Sequence, residues 1–260
     1  MFLTFLLIAL FALILLRMPI AFAMGLAGAA GMAVQVGVPA TLSLFERVVF
    51  EGTSHFILVA IPLFILMAEL MTAGGITTKA VAACQAWLGH FRGGLAIATV
   101  GAAVMLAALI GSSTASSATM ASSAYPEMKR LRYHDRLSAA IVSVGGTLAV
   151  MIPPSIIFIV YGVLTETSIG KLFMAGVVPG LLTAAGFIPA VILIARRPGM
   201  APAGGPFDLR HAIRRSHTIW PMCALIVLVI ATIYTGAASP TEAGAVGAAG
   251  ALLIALLQRS

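Results

Sequence analysis

The chain has 260 residues, of which 61% are hydrophobic and only 9% are charged. A soluble domain carries about 25% charged residues to cover its surface, so this composition excludes a water-soluble enzyme or binding module and indicates a membrane protein embedded in a lipid bilayer. The formal net charge is +7. Because the basic residues lie in short loops between apolar runs, where they orient membrane helices, we expect no nucleic acid as a partner.

The chain opens with apolar stretches that predict membrane helices. Residues 2–16 form the first, and residues 19–38 form the second, which is rich in small residues that let helices approach closely in lipid. Residues 41–50 are amphipathic and predict an interfacial segment. Residues 56–72 predict a third span. We assign residues 1–75 to N-terminal scaffold helices.

The next part of the chain combines an amphipathic segment with a polar interruption. Residues 76–92 carry apolar side chains at helical spacing and predict a helix along the membrane surface. An apolar span at 94–110 then meets a run rich in serine and threonine at 112–123. A basic segment follows at 129–136. We predict that residues 93–165 form a transport-type unit.

The basic segment predicts a re-entrant hairpin. If the chain crossed the membrane once between residues 94 and 127, the segment at 129–136 would face outward, against the excess of Lys and Arg in cytoplasmic loops. A hairpin that enters and leaves on the same side removes the conflict, and nearly all basic loops then face the cytoplasm. This topology places the N-terminus in the periplasm.

A second interruption lies at Pro153-Pro154, inside a later apolar span. Each proline lacks the N–H that would bond the carbonyl four residues earlier, so the carbonyls of Ala149 and Val150 lose their helical donors. One break rich in hydroxyls and one rich in free carbonyls are how secondary transporters build sites for a hard cation such as Na⁺. The alternative, in which the hydroxyls bond the preceding turn and the prolines only kink the helix, stays open.

The remaining residues, 166–260, predict further transmembrane helices at 173–195, 219–234 and 240–257. The fold class is therefore all-α: a polytopic membrane protein with about seven transmembrane helices, one re-entrant hairpin and one Pro-Pro broken helix. Glu69 is the one acid well inside a span, and we expect it to pair with a loop arginine rather than to relay protons. The five histidines map to loops or interfaces, so an intramembrane serine hydrolase would lack its base, and we expect no enzyme.

Several motifs occur in the same order as in a known family. The chain resembles the large permease subunit of tripartite ATP-independent periplasmic (TRAP) transporters, the DctM type. The motifs that carry the resemblance are RMPIAFA (17–23), AIPLFI leading to ELM (60–71), GSS (111–113), IPPS through YG (152–162), SIGKLF through PG (168–180) and SPTEA (239–243).

The resemblance implies an elevator-type importer of organic anions, C4-dicarboxylates or related carboxylates, in the bacterial inner membrane. It implies Na⁺ as the coupling ion, a periplasmic binding protein that delivers the substrate, and a small four-helix membrane subunit as partner. The residues assigned to the Na⁺ site, including the two freed carbonyls, are Ser112, Ser113, Ser116, Gly146, Thr147, Ala149, Val150 and Pro153. We assign Thr114, Pro154 and Ser155 to the substrate.

The length departs from the family pattern. Family members have two inverted halves, each with a hairpin and a broken helix, whereas this chain reaches Ser260 soon after the first half. We expect the second half to be missing, as in a fragment, a truncated product or one piece of a split permease. Two alternatives stay open: a non-transporting membrane scaffold, and another ion-coupled anion carrier that works without a soluble binding protein.

Overall fold

The computed structural model describes residues 2–257, and all regular secondary structure in this range is helical. The chain divides into two compact units, one ending at His55 and the other beginning at Phe56. The all-α fold class is confirmed. The division into scaffold and transport-type residues is a separate, functional one and stays a prediction.

The first unit contains three helices: α1 (Phe2–Leu15), α2 (Ile20–Val36) and α3 (Val38–Thr53). Close packing of α2 on α1 depends on a small residue. A Cβ on Gly31 would lie only 2.8 Å from a methyl carbon of Leu6, so the side chain of Leu6 fills the space that this glycine leaves. Small residues therefore let the two helices approach, as the sequence predicts.

The second unit begins with a 3-10 turn, Phe56–Val59, that leads into ten helices. They are α4 (Ala60–Ala73), α5 (Ile76–Leu88), α6 (Gly94–Ile110), α7 (Ser113–Ser123), α8 (Tyr125–Arg130), α9 (Asp135–Met151), α10 (Ile156–Leu164), α11 (Ile169–Ala195), α12 (Leu209–Tyr234) and α13 (Pro240–Leu257).

Helix α6 lies at the centre of the second unit. Nearly all of its residues are buried, and α5, α9 and α11 pack around it. Its composition explains this position, since alanines and glycines let several neighbours approach one helix. Helix α13 packs against α4, where Gly244 lies against Leu63 and Gly247 lies against Met67.

Among residues 2–257, five segments are long and apolar enough to cross a membrane, and three shorter helices are apolar as well. The long segments are Phe56–Ala73, Asp135–Leu164, Ile169–Ala195, Leu209–Tyr234 and Pro240–Leu257, and the shorter ones are Phe2–Leu15, Ile20–Val36 and Gly94–Ile110. A bilayer core of about 30 Å needs about 20 helical residues. These segments confirm a polytopic membrane protein, in which α6 is the first limb of the predicted hairpin.

Two predicted spans begin earlier in the structure. Helix α11 starts at Ile169 rather than 173 and continues through two internal prolines. Helix α12 starts at Leu209 rather than 219, so residues 209–216, at the end of the polar connection that follows α11, are helical. Asp208 explains this start, because its side chain accepts hydrogen bonds from the backbone N–H groups of Arg210 and His211 and so caps the helix.

Candidate functional site at two helix breaks

The first break lies between α6 and α7 and is two residues long. Gly111 has φ of +61°, a left-handed conformation that glycine adopts at little cost, and Ser112 is extended. The serine- and threonine-rich run is itself helical from Ser113 to Ser123, so the hydroxyl-rich break that the sequence predicts is confined to Gly111 and Ser112. The reason is local: once Gly111 turns the chain, Ser112 starts a new helix by accepting the N–H of Ser116 at 2.9 Å.

The second break lies where the prolines predict it. Helix α9 ends at Met151, a cis peptide joins Pro153 to Pro154, and α10 begins at Ile156. The carbonyls of Ala149 and Val150 have no donor four residues later, because residues 153 and 154 carry no N–H. The predicted interruption of this helix is confirmed.

The two breaks meet. The backbone N–H of Ile156 donates to the carbonyl oxygen of Gly111 at 3.1 Å. A Cβ at residue 111 would also overlap the carbonyl oxygen of Pro154. Glycine is therefore required here so that the two breaks can approach each other, as well as for its left-handed conformation. The sequence predicts two breaks at comparable depth, and the structure joins them by a main-chain hydrogen bond.

Gly146 lets the backbone of helix α9 lie close to α7. A Cβ on Gly146 would overlap the hydroxyl oxygen of Ser117 and would lie 2.8 Å from the carbonyl oxygen of Ser113. On the neighbouring residue, a Cβ on Gly145 would lie 3.0 Å from Ala103 of α6. The two adjacent glycines therefore let α9 pack closely against both limbs of the hairpin.

Two serine hydroxyls beside the breaks are buried without a partner. Ser116 on α7 and Ser155 at the start of α10 are both 0% exposed, and among the described residues neither hydroxyl oxygen has a hydrogen-bond partner. A buried hydroxyl without a partner costs about 1–3 kcal/mol, and a bound water or ion is one of the explanations for such a group in a native protein. The residues present thus fit a cation site that uses neutral oxygens.

The other residues assigned to the ion or the substrate differ in their surroundings. The hydroxyls of Ser112 and Thr114 lie 3.2 Å apart. Thr147 is exposed, and its hydroxyl donates to the carbonyl of Val144 within its own helix. Ser113 is half-buried, as is Val150, whereas Ala149, Pro153 and Pro154 are buried. The assignment of individual ligands to the ion or the substrate stays a prediction.

Ser117 lies beside the candidate site, although the sequence did not indicate it. Its hydroxyl lies against Gly146, where α7 packs on α9. One pattern could have indicated it, because Ser113 and Ser117 are four residues apart and therefore share a helix face. Their common face is the one that meets α9.

Glu69 lies beside the hairpin. It lines a cavity of about 120 Å³ together with Ser112 and Thr119 of the hairpin and Ile156 of α10. Within residues 2–257 the salt bridges are Arg47–Glu51 and Glu127–Arg130. The expected pairing of Glu69 with a loop arginine is therefore not formed in the described part of the chain.

Comparison with known proteins identifies the family. A model of that family, described as the tripartite ATP-independent periplasmic transporter, DctM component, matches residues 7–260. The chain is 44% identical over 208 residues to the C4-dicarboxylate TRAP transporter large permease protein DctM of Pseudomonas aeruginosa. The aligned region covers 80% of this chain and 48% of that protein.

Two further relatives extend the comparison. The protein of the same name from Vibrio cholerae is 37% identical over 218 residues, covering 83% of this chain and 48% of that one. The isethionate TRAP transporter permease protein DctMQ of Oleidesulfovibrio alaskensis is 37% identical over 248 residues, covering 94% of this chain and 38% of that one.

These relatives bear on both the length and the class of the chain. The chain spans about half the length, or less, of the curated relatives described above. All three are named as permeases of transporters, which agrees with the expectation that the chain is not an enzyme. On the match over residues 7–260, the chain belongs to the DctM family of tripartite ATP-independent periplasmic transporters.

Proposed function

We propose that the chain forms all or part of the membrane permease of a Na⁺-coupled secondary transporter that imports organic acids across the bacterial inner membrane. One observation carries the proposal: two helix breaks are joined by the Gly111–Ile156 hydrogen bond and flanked by the unpartnered hydroxyls of Ser116 and Ser155. Non-helical backbone inside a membrane is tolerated only where it is buried in protein or lines a hydrated cavity. Coordination of one ion by groups from both breaks explains why the two breaks are held in contact.

The chemistry of the donors favours a monovalent hard cation. The candidate ligands are the hydroxyls of Ser116 and Ser155 and the carbonyls of Ala149 and Val150, all neutral oxygens. Protein sites for Ca²⁺ commonly include carboxylates, which offset the ion's double charge. Neutral oxygens at a broken helix suit Na⁺ instead.

The family supports a proposal for the substrate class and the partners. The relatives are named for C4-dicarboxylates and for isethionate, which are both small organic anions. We propose a C4-dicarboxylate or a related carboxylate as substrate, delivered by a periplasmic binding protein, and a small membrane subunit as partner of the permease. The N-terminus lies on the periplasmic side in this proposal, which leaves the large basic loops in the cytoplasm.

Thermal unfolding of the purified chain in detergent tests the ion site. We expect Na⁺ to raise Tm more than K⁺ at the same ionic strength, because a ligand that binds the folded state stabilises it. In Ser116→Ala and Ser155→Ala we expect this Na⁺ response to be lost. In Na⁺-free buffer the same variants should be as stable as the unmodified chain or more stable, since each removes an unpaired buried hydroxyl.

Ser143→Ala is the matched control for these variants. Ser143 is exposed on α9, and its hydroxyl donates to the carbonyl of Ala139 in its own helix, so this variant should keep the Na⁺ response. Equal stabilisation by Na⁺ and K⁺ in the unmodified chain would overturn the ion site. A full Na⁺ response in both serine variants would overturn the assignment of these ligands.

Uptake measurements test transport itself. Labelled C4-dicarboxylate is offered to vesicles that contain the permease, its small membrane subunit and its periplasmic binding protein, with and without a Na⁺ gradient. We expect uptake only when all three proteins and the gradient are present. Uptake without the binding protein would indicate another type of carrier, and no flux under any condition would favour a scaffold.

A further inference from the structure

Helix α12 begins with a basic hollow at its exposed first two turns. The hollow has a volume of about 600 Å³ and is lined by Asp208, Arg210, His211, Ile213, Arg214 and His217. Its one carboxylate, Asp208, already accepts two backbone hydrogen bonds at the helix start. Within residues 2–257 neither Arg210 nor Arg214 takes part in a salt bridge. The hollow therefore carries a net positive charge, because two arginines face one carboxylate.

An apolar groove lies further along the same helix. It has a volume of about 370 Å³, and α12 and α13 form its two walls. The residues that line it are Trp220, Pro221, Ala224, Leu225, Leu228, Gly250, Leu253, Ile254 and Leu257. Trp220 is 63% exposed, Leu228 is 45% exposed and Leu253 is 61% exposed. The groove is open to the surroundings and offers almost no polar atom.

The hollow and the groove share one face of α12. Residues three and four apart lie above one another on a helix, and the lining residues 210, 214, 217, 221, 224 and 228 follow this spacing without interruption. The resulting stripe is basic over its first three positions and apolar over its last three. At 1.5 Å per residue it extends about 27 Å along the helix.

The length of α12 places this stripe at the membrane boundary. The helix has 26 residues, or about 39 Å, which exceeds a hydrocarbon core of about 30 Å. The charged residues occupy the first two turns, so these turns lie outside the hydrocarbon. Trp220 follows at the position where aromatic side chains mark the interface between hydrocarbon and headgroups. The hollow is therefore at headgroup level, and the groove is at the level of the acyl chains.

We propose that this stripe is a binding site for an anionic phospholipid, with the headgroup phosphate in the hollow against Arg210 and Arg214 and an acyl chain in the groove beside Ala224. Basic pockets at the ends of membrane helices are known to recognise anionic headgroups. Charge complementarity selects the headgroup, and continuity with an apolar groove selects a lipid over a soluble phosphate compound. The site shares no lining residue with the two helix breaks.

Lipid retention tests the proposal. The chain is reconstituted into nanodiscs of phosphatidylcholine mixed with phosphatidylglycerol of the same acyl chains, then released and analysed by native mass spectrometry. We expect phosphatidylglycerol to be retained preferentially. Arg210→Gln and Arg214→Gln should each weaken that preference about fivefold. Ala224→Trp fills the groove without changing the charge and should also reduce retention.

The control removes positive charge elsewhere, and twice as much of it as either single variant. Arg196→Gln with Arg197→Gln alters two exposed arginines that line neither the hollow nor the groove, and it should leave retention unchanged. An equal loss in this control would overturn the site in favour of general attraction between the basic chain and anionic lipid.

A thermal shift measurement separates lipid from soluble phosphate. We expect phosphatidylglycerol to raise Tm of the unmodified chain and inorganic phosphate to leave it unchanged. Equal stabilisation by inorganic phosphate, or unchanged retention in Ala224→Trp, would show that no acyl chain occupies the groove. Loss of retained lipid when the small membrane subunit binds would instead assign the groove to a protein helix. Any one of these three results would overturn the proposal.

Discussion

Two helix contacts in the second unit use glycine for different purposes. Between α13 and α4, a Cβ on Gly247 would lie 2.6 Å from the sulfur of Met67. Between α9 and α7, a Cβ on Gly146 would overlap the hydroxyl of Ser117 and approach the carbonyl of Ser113. In the first contact the glycine makes room for an apolar side chain. In the second it brings oxygen atoms against a backbone.

The comparison shows that small residues in a membrane protein can do more than let helices pack closely. They can also bring the polar atoms of one helix against the backbone of another. An apolar neighbour such as methionine adapts its shape, so the α13–α4 contact can absorb a small change. A carbonyl oxygen held in a helix cannot move without moving the helix. We therefore expect the two contacts to differ in their tolerance of an added methyl group and in their connection to Na⁺.

The largest effect should come from Gly146→Ala. The added methyl group overlaps the hydroxyl of Ser117, so α7 must shift, which we expect to lower stability by about 1–3 kcal/mol and to abolish the Na⁺ response of Tm. Gly146→Ala combined with Ser117→Gly should recover part of the stability. Gly186→Ala is the control, because its Cβ would meet no atom within 4 Å, and it should be neutral or slightly stabilising.

A Gly146→Ala variant as stable as the unmodified chain would show that the close approach of α7 and α9 is not required. A Gly146→Ala variant that is stable but has lost its Na⁺ response would strengthen the distinction between the two contacts. It would show that the contact between α9 and α7 is needed for ion binding rather than for the stability of the fold.

Tyr133→Phe should have the next largest effect. The buried phenol of Tyr133 accepts the N–H of Leu95 at 3.1 Å, in the first turn of α6, where backbone donors have no partner within the helix. Removing the acceptor leaves a buried donor unpaired, which costs about 1–3 kcal/mol. Chemical denaturation at neutral pH measures this loss. A variant with full stability would show that the hairpin does not depend on this bond.

The same residue predicts a dependence on pH. Burial raises the pKa of Tyr133 above its ordinary value, so the folded state retains a proton that the unfolded chain loses near pH 10. Stability from this group is complete below about pH 10 and falls as the pH rises further through the folded pKa. Denaturation measured between neutral and alkaline pH should show a steeper loss in the unmodified chain than in Tyr133→Phe. Equal slopes would contradict this prediction.

The smallest effect should come from Gly247→Ala. Met67 can move its sulfur away from the added methyl group, so we expect a loss of about 1 kcal/mol, at the lower end of overpacking costs, with the Na⁺ response of Tm unchanged. The measurement is the same pair of thermal unfolding curves with Na⁺ and K⁺. A loss of the Na⁺ response in this variant would remove the distinction between the two contacts.

The sequence predicted those parts of the site that depend on local chemistry. Pro153-Pro154 must interrupt a helix because proline lacks an N–H, so the second break is visible without a structure. The first break was placed at the serine- and threonine-rich run from the charge of the loops, and the structure narrows it to Gly111 and Ser112. The all-α class and the membrane location follow equally directly from composition and from the length of the apolar runs.

The parts that the sequence did not predict depend on which segments meet. Helical spacing indicates which residues share a face but not which helix covers that face, so the contact of Ser117 with Gly146 was missed. The sequence places a break at the serine- and threonine-rich run, but Gly111 and Ser112 alone form that break and most of the hydroxyls belong to helix α7. The placement of Glu69 beside Ser112 also depends on packing, and no charge pattern along the chain indicates it.

The hydrogen bond between Ile156 and Gly111 also limits how the candidate site can change during the transport proposed above. If the hairpin separated from α10, a backbone amide and a carbonyl would lose their partners within the membrane, where each unsatisfied group costs several kcal/mol. The hairpin and α10 should therefore travel together. In the transporter proposed above, access to the ion from the two sides of the membrane would then alternate through displacement of this whole assembly relative to its surroundings, while the proposed coordinating oxygens keep their mutual arrangement.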